Sequence, residues 1–121
     1  MIDPNDGTSD FLKGRKGSAI SVGLLRNAPS VLGVVHAPVT PDRGPDCLAW
    51  AEGLPHLLRN GQLVVNDLRR QQLGSQAVVM VSAAAEAKPQ ENAELCAPAQ
   101  FHAMPSIAYR LARVAGLVAA P

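Results

Sequence analysis

Ala19-Ile20-Ser21-Val22-Gly23-Leu24-Leu25 and Val31-Leu32-Gly33-Val34-Val35-His36 are two apolar runs of strand length, held apart only by Arg26-Asn27-Ala28-Pro29-Ser30. Apolar runs on both sides of so short a turn-rich link predict an antiparallel hairpin, and a hairpin this early commits the chain to a sheet. The residues that follow extend it. Pro38, Pro41 and Pro45 break regular structure by denying backbone donors, so residues 39–44 are expected to form a loop. Cys47-Leu48-Ala49-Trp50-Ala51 predicts a third strand, and Leu57-Leu58-Arg59 running into Asn60-Gly61 carries a strong hairpin signal.

Beyond the sheet the pattern changes. Asp67-Leu68-Arg69-Arg70-Gln71-Gln72-Leu73 is polar and reads as a connector, which divides the chain into residues 1–73 and 74–121. Ala77-Val78-Val79-Met80-Val81-Ser82 is a continuous apolar run of strand length, suited to burial on both faces. Residues 90–96 are expected to make one or two helical turns after Pro89, and residues 101–104 a short strand. Ile107, Tyr109, Leu111 and Val114, with Arg110 and Arg113 at other positions, give an amphipathic pattern for a final helix, with Ser106 as its N-cap. The fold class is α+β, with a mainly antiparallel sheet over residues 18–65, a second strand layer near 77–82 and flanking helices.

Charge excludes some classes of partner. Eleven Lys and Arg against ten Asp and Glu create no strong field, so neither a nucleic acid polymer nor an anionic membrane is expected as a partner. No apolar run reaches the ~20 residues of a membrane span, and the chain reads as soluble and cytoplasmic. Cys47 and Cys96 lack metal-site spacing and read as buried free thiols. Trp50 reads as a core or sheet-face residue, and His36 and His56 as structural histidines without an orienting acid.

Chemistry concentrates at the start of the chain, in Asp3-Pro4-Asn5-Asp6-Gly7-Thr8. Two carboxylates three residues apart, with a backbone carbonyl between them, can aim hard oxygen donors at one divalent cation such as Mg²⁺. Gly7 allows close backbone approach, and Thr8 can open a short helix whose free N–H groups face an anion. The same residue types also build plain surface turns, and on their own they leave that reading open. An EF-hand does not fit, because its sixth and twelfth positions, counted from Asp3, hold Thr8 and Gly14 in place of Gly and Glu.

Asp3 to Thr8 followed by Phe11 resembles the D-P-x-D-G-T-x-x-F signature of the inositol monophosphatase superfamily, which includes the 3'(2'),5'-bisphosphate nucleotidases and is related to fructose-1,6-bisphosphatase. Gly33-Val34-Val35-His36-Ala37-Pro38 resembles that family's G-V-V-x-x-P strand, Asn60-Gly61-Gln62 its N-G-x turn, and Met104-Pro105-Ser106-Ile107-Ala108 its G-S substrate segment. The resemblance implies a partial sugar-phosphatase fold and Mg²⁺-dependent hydrolysis of a small phosphate monoester by metal-activated water. It implies metal ligation by Asp3, the Asn5 carbonyl and Asp6. Catalytic roles fall to Asp6 and Thr8, and substrate binding to Gly7, Thr8 and Ser106. Lys13, Arg15 and Lys16 are either a solvated turn or a basic cluster that attracts a phosphorylated substrate.

Two departures stand out: Asn5 replaces a branched apolar residue, and Pro105 replaces a glycine, which removes a backbone donor from the substrate segment. The substrate is left open between an inositol phosphate and a 3'-phosphonucleotide. The resemblance further implies helices and an acidic ligand before residue 1 and another strand and acidic motif after residue 121, so the chain reads as a fragment that alone turns over poorly or not at all. The alternative is a non-catalytic truncated domain that acts through folding or association, and a homodimer is left open.

Overall fold

The computed structural model describes residues 1–65 and 68–116. Six strands follow one another as an antiparallel meander in the order β1-β2-β3-β4-β5-β6. They are β1 (Ile2–Asp6), β2 (Ala19–Leu25), β3 (Ser30–Ala37), β4 (Asp46–Ala51), β5 (Leu57–Arg59) and β6 (Gln62–Val64). Helix α1 (Thr8–Leu12) connects β1 to β2. The β2–β3 hairpin expected from the sequence is present, with Val22 opposite Val34 and Gly23 opposite Gly33. The β5–β6 turn has Asn60 at φ 52° and Gly61 at φ 83°, the left-handed pair that a tight Asn-Gly hairpin requires.

A second sheet of two parallel strands joins β7 (Val78–Val81) to β8 (Gln100–Ala103) through α2 (Pro89–Cys96). Its strands are half-exposed, and Val78 is 47% exposed, so the expected burial on both faces does not hold. The reason is sheet width: with one partner strand, β7 keeps an open side. The polar connector shows a 3₁₀ turn at Leu68–Arg70, whereas Asn66 and Asp67 lie outside the described residues. The chain closes on α3 (Ile107–Ala115), where Ser106 Oγ accepts from Tyr109 N–H at 3.0 Å as the expected N-cap. Residues 117–121 also lie outside the described residues. Among the described residues no helix is long and apolar enough to cross a membrane.

One face of the sheet becomes the core. Ala19, Val35, Ala37, Leu48 and Leu57 stand on one face of the sheet, where they pack with Met80, Met104, Tyr109 and Ala112. The opposite face is also apolar, with Ile20, Val22 and Leu24 of β2 beside Val34 and Leu32 of β3. Ile20 is 40% and Leu24 54% exposed there. Both cysteines are free, and each is half-buried, less than expected. Trp50 is half-buried on β4, and its Nε1–H donates to the Leu54 carbonyl at 3.2 Å.

Candidate active site

The acidic motif, whose residue types also suit a plain surface turn, is an edge strand as far as Asp6. Its backbone finds partners in β2, and the terminal amine of Met1 donates to the Gly23 carbonyl at 2.8 Å. Asp3 pairs with Ser21 and Asp6 with Ala19, so three steps along β1 match two along β2 and one residue is extra. In a regular strand, residues three apart point to opposite faces. The bulge cancels that alternation and returns both carboxylates to the core side of the sheet, since Ser21 and Ala19 share a face.

After Asp6 the chain turns through Gly7, whose φ of 93° favours glycine, into α1. Thr8 Oγ1 donates to the Asn5 carbonyl at 2.7 Å, and Asn5 N–H donates to Asp3 Oδ1 at 3.2 Å. Asp3, Asn5 and Thr8 are thereby tied into one turn. The Asn5 side-chain oxygen is buried without a hydrogen-bond partner. A buried acceptor left unpaired costs about 1–3 kcal/mol, so Asn5→Leu, of similar shape, is expected to raise stability by about 1 kcal/mol in urea unfolding.

Asp6 reaches across the molecule. Its Oδ2 accepts from Ser106 Oγ at 2.5 Å and from Ala108 N–H at 2.9 Å. The sequence predicts an exposed helix N-terminus at Pro105-Ser106 facing a substrate anion. Instead Ser106 is fully buried, and the anion at that helix end is Asp6 of the same chain. Pro105 does not weaken this contact, because the donors come from Ser106 and Ala108. Its ring packs where Gly7 and Gly17 leave room: a Cβ on Gly7 would lie 3.4 Å from Pro105 Cβ, and one on Gly17 would lie 2.7 Å from Pro105 Cδ.

The basic cluster resolves into separate parts. Lys13, Arg15 and Lys16 are exposed, and Arg15 Nη1 pairs with Asp10 Oδ1 at 3.0 Å. Arg15 and Lys16 also edge an open cavity of about 260 Å³ with Pro41, Ala83, Glu86, Ala103 and Pro105.

A polar network beneath α3 escaped the sequence reading. Asp46, with no exposed surface, accepts from Arg59 Nε at 3.0 Å, Arg59 Nη2 at 2.6 Å, Asn60 Nδ2 at 3.1 Å and Tyr109 OH at 2.6 Å. Burial pushes the Asp46 carboxyl up, but the hydrogen bonds from Arg59 and Tyr109 outweigh it and hold the pKa down at about 2. Burial, then the bond to Asp46, drives the Tyr109 phenol up to about 12. Beside it Asp42 takes a two-pronged bond from Arg113 at 2.7 Å to each oxygen, which lowers its pKa. The available signal was positional: Asp46 alternates with Leu48 and Trp50, so it occupies an inward position of β4.

Among the described residues no group of three or more His, Cys, Asp or Glu side chains gathers to hold a metal. What β1 offers is a hard, oxygen-only set: the Asp3 and Asp6 carboxylates on one face, with the Asn5 carbonyl between them. That set fits part of a Mg²⁺ shell, a cation that takes one or two carboxylates and keeps several waters.

The inositol monophosphatase family model matches residues 1–119. No curated protein matches the chain. Among solved structures it is similar to an inositol monophosphatase of Thermotoga maritima, at 26% identity and TM-score 0.66 over 93% of this chain and 42% of that one. It is likewise similar to the inositol monophosphatase of Anabaena (Nostoc) sp. PCC 7120, at 26% identity and TM-score 0.67 over 95% of this chain and 47% of that one. A third similar structure is SaIMPase-II with inositol monophosphate bound, at 22% identity and TM-score 0.68 over 96% of this chain and 44% of that one, and the same protein is solved with 2'AMP. The chain thus spans less than half the length of these solved relatives. With the family signature on β1, the meander behind it and the match running through α3, the chain belongs to the inositol monophosphatase family.

Proposed function

We propose that the chain carries one side of a Mg²⁺-dependent phosphomonoesterase site acting on a small phosphate monoester, an inositol phosphate or a 3'-phosphonucleotide. The observation that carries this reading is the β1 bulge, which puts Asp3 and Asp6 on one sheet face immediately before Gly7 and Thr8. Family membership favours it over a domain that only associates.

In this reading Asp3, the Asn5 carbonyl and Asp6 hold the ion. When bound, Mg²⁺ supplies charge neutralisation for the phosphoryl oxygens and a lowered pKa for water. Thr8 orients the nucleophile: its hydroxyl proton is committed to the Asn5 carbonyl, so its lone pairs are left to accept from a water. The left-handed turn at Gly7 brings the backbone N–H groups of Gly7 and Thr8 to the substrate phosphate. Ser106, expected as a substrate residue, contributes through Asp6. A second copy of the chain as a partner has no contact behind it and is not proposed.

Phosphate release from inositol 1-phosphate, 2'AMP and 3'-phosphoadenosine 5'-phosphate tests the reading, with the chain alone and within the full reading frame of its gene. Turnover in the full frame is expected to need Mg²⁺, to stop with chelator and to fall on the order of 100-fold or more in Asp6→Asn, as when a group that stabilises transition-state charge is lost. Chelator-resistant turnover would overturn it.

A further inference from the structure

We infer that Ser106 is the positioning residue for Asp6, setting from the far end of the chain the geometry of a carboxylate that the reading above gives to the metal. The inference rests on that reading. A hundred residues separate the two in sequence, yet Ser106 Oγ donates to Asp6 Oδ2 at 2.5 Å, the shortness of a charge-assisted bond. Ala108 N–H adds 2.9 Å to the same oxygen. Both donors hold Oδ2, so the side chain is fixed in one rotation with Oδ1 turned away from them.

Ser106 is itself immobilised. It has no exposed surface, and its oxygen accepts from Tyr109 N–H at 3.0 Å while its proton goes to Asp6, so donor and acceptor capacities are both in use. Pro105 sets how closely the segment approaches, since its ring stands against the Gly7 backbone on one side and Gly17 on the other. The first turn of α3 thus meets the end of β1 through a hydroxyl, an amide and a proline ring. Partners of this kind, one bond removed from the ion, change metal affinity by about 10- to 100-fold when lost.

Mn²⁺ titration followed by electron paramagnetic resonance on the 121-residue chain tests this without recourse to turnover. Ser106→Ala is expected to weaken Mn²⁺ binding about tenfold. Tyr109→Phe loosens the same helix but keeps the backbone N–H on Ser106, and it should stay within about twofold of the parent chain. Parent-like affinity in Ser106→Ala, or an equal loss in Tyr109→Phe, would overturn the positioning role while leaving the metal reading intact. Parent-like affinity in Asp6→Asn would overturn the metal reading and the inference with it. Should Ser106→Ala not fold, as judged by circular dichroism, Ser106→Gly, which also lacks the hydroxyl donor and is tolerated at an N-cap, replaces it under the same criterion.

Discussion

Asp46→Ala is expected to destabilise the chain by about 3–5 kcal/mol, read as a lower urea midpoint at unchanged slope, because it strands a buried cation. Arg59 is only 10% exposed, and two of its nitrogens are bound to Asp46. Its third, Nη1, donates to the Gly116 carbonyl at 3.0 Å, which cannot neutralise it. Removing the carboxylate also deprives the Tyr109 hydroxyl and the Asn60 amide of their acceptor. Against total stabilities of about 5–15 kcal/mol, a loss of this size is a large share of the whole.

The same network gives the chain two pH limits. The Asp46 pKa is about 2 when folded against 3.8 as the ordinary value, so its contribution is complete above pH 4 and is lost as pH falls through 2. At 1.36 kcal/mol per unit the difference corresponds to roughly 2 kcal/mol. Tyr109 has the opposite sign: raised from 10 to about 12, it stabilises fully below pH 10, and that stability is lost as pH rises through 12. Stability measured against pH should show both limbs in the parent chain, with the alkaline one missing in Tyr109→Phe. An acid limb of unchanged depth in Asp46→Ala would refute the assignment.

Gly17→Ala is expected to cost roughly 3 kcal/mol or more, combining a backbone conformation hostile to side chains with overpacking. Gly17 has φ 115°, and a Cβ there would lie 2.7 Å from both Met104 Sδ and Pro105 Cδ. The methionine can yield, but the proline ring cannot without moving the Ser106 backbone. Gly14→Ala is the matched control, since Gly14 also has positive φ, at 77°, but nothing lies within 4 Å of its Cβ position. It should cost about 1 kcal/mol. Equal losses in the two variants would show that conformation alone, and not the contact with the 104–106 segment, decides the effect.

Local rules took the sequence reading a long way along this chain. The hairpin over β2 and β3, the Asn60-Gly61 turn, Pro89 opening α2 and Ser106 capping α3 all depend on residues within about four positions of each other, and each was legible. Periodicity could not choose a face for the main sheet. Both sides of β2 and β3 carry apolar residues, and only the arrival of Met104 and Tyr109 makes one of them the core. Nor could spacing show that Asp3 and Asp6 share a face, because a strand read at period two separates them and the bulge exists only in the pairing with β2.

The sequence by itself determined the strands after β1, the turns, the final helix and the acidic motif that names the family. The tertiary structure alone decided that Asp6 is held by Ser106 and Ala108, and that Asp46 is buried among Arg59, Asn60 and Tyr109. The physical reason is range. Propensity, capping and turn chemistry act between near neighbours, whereas these contacts join residues up to 102 positions apart and form only once the sheet register and the docking of α3 have brought their partners within hydrogen-bond distance.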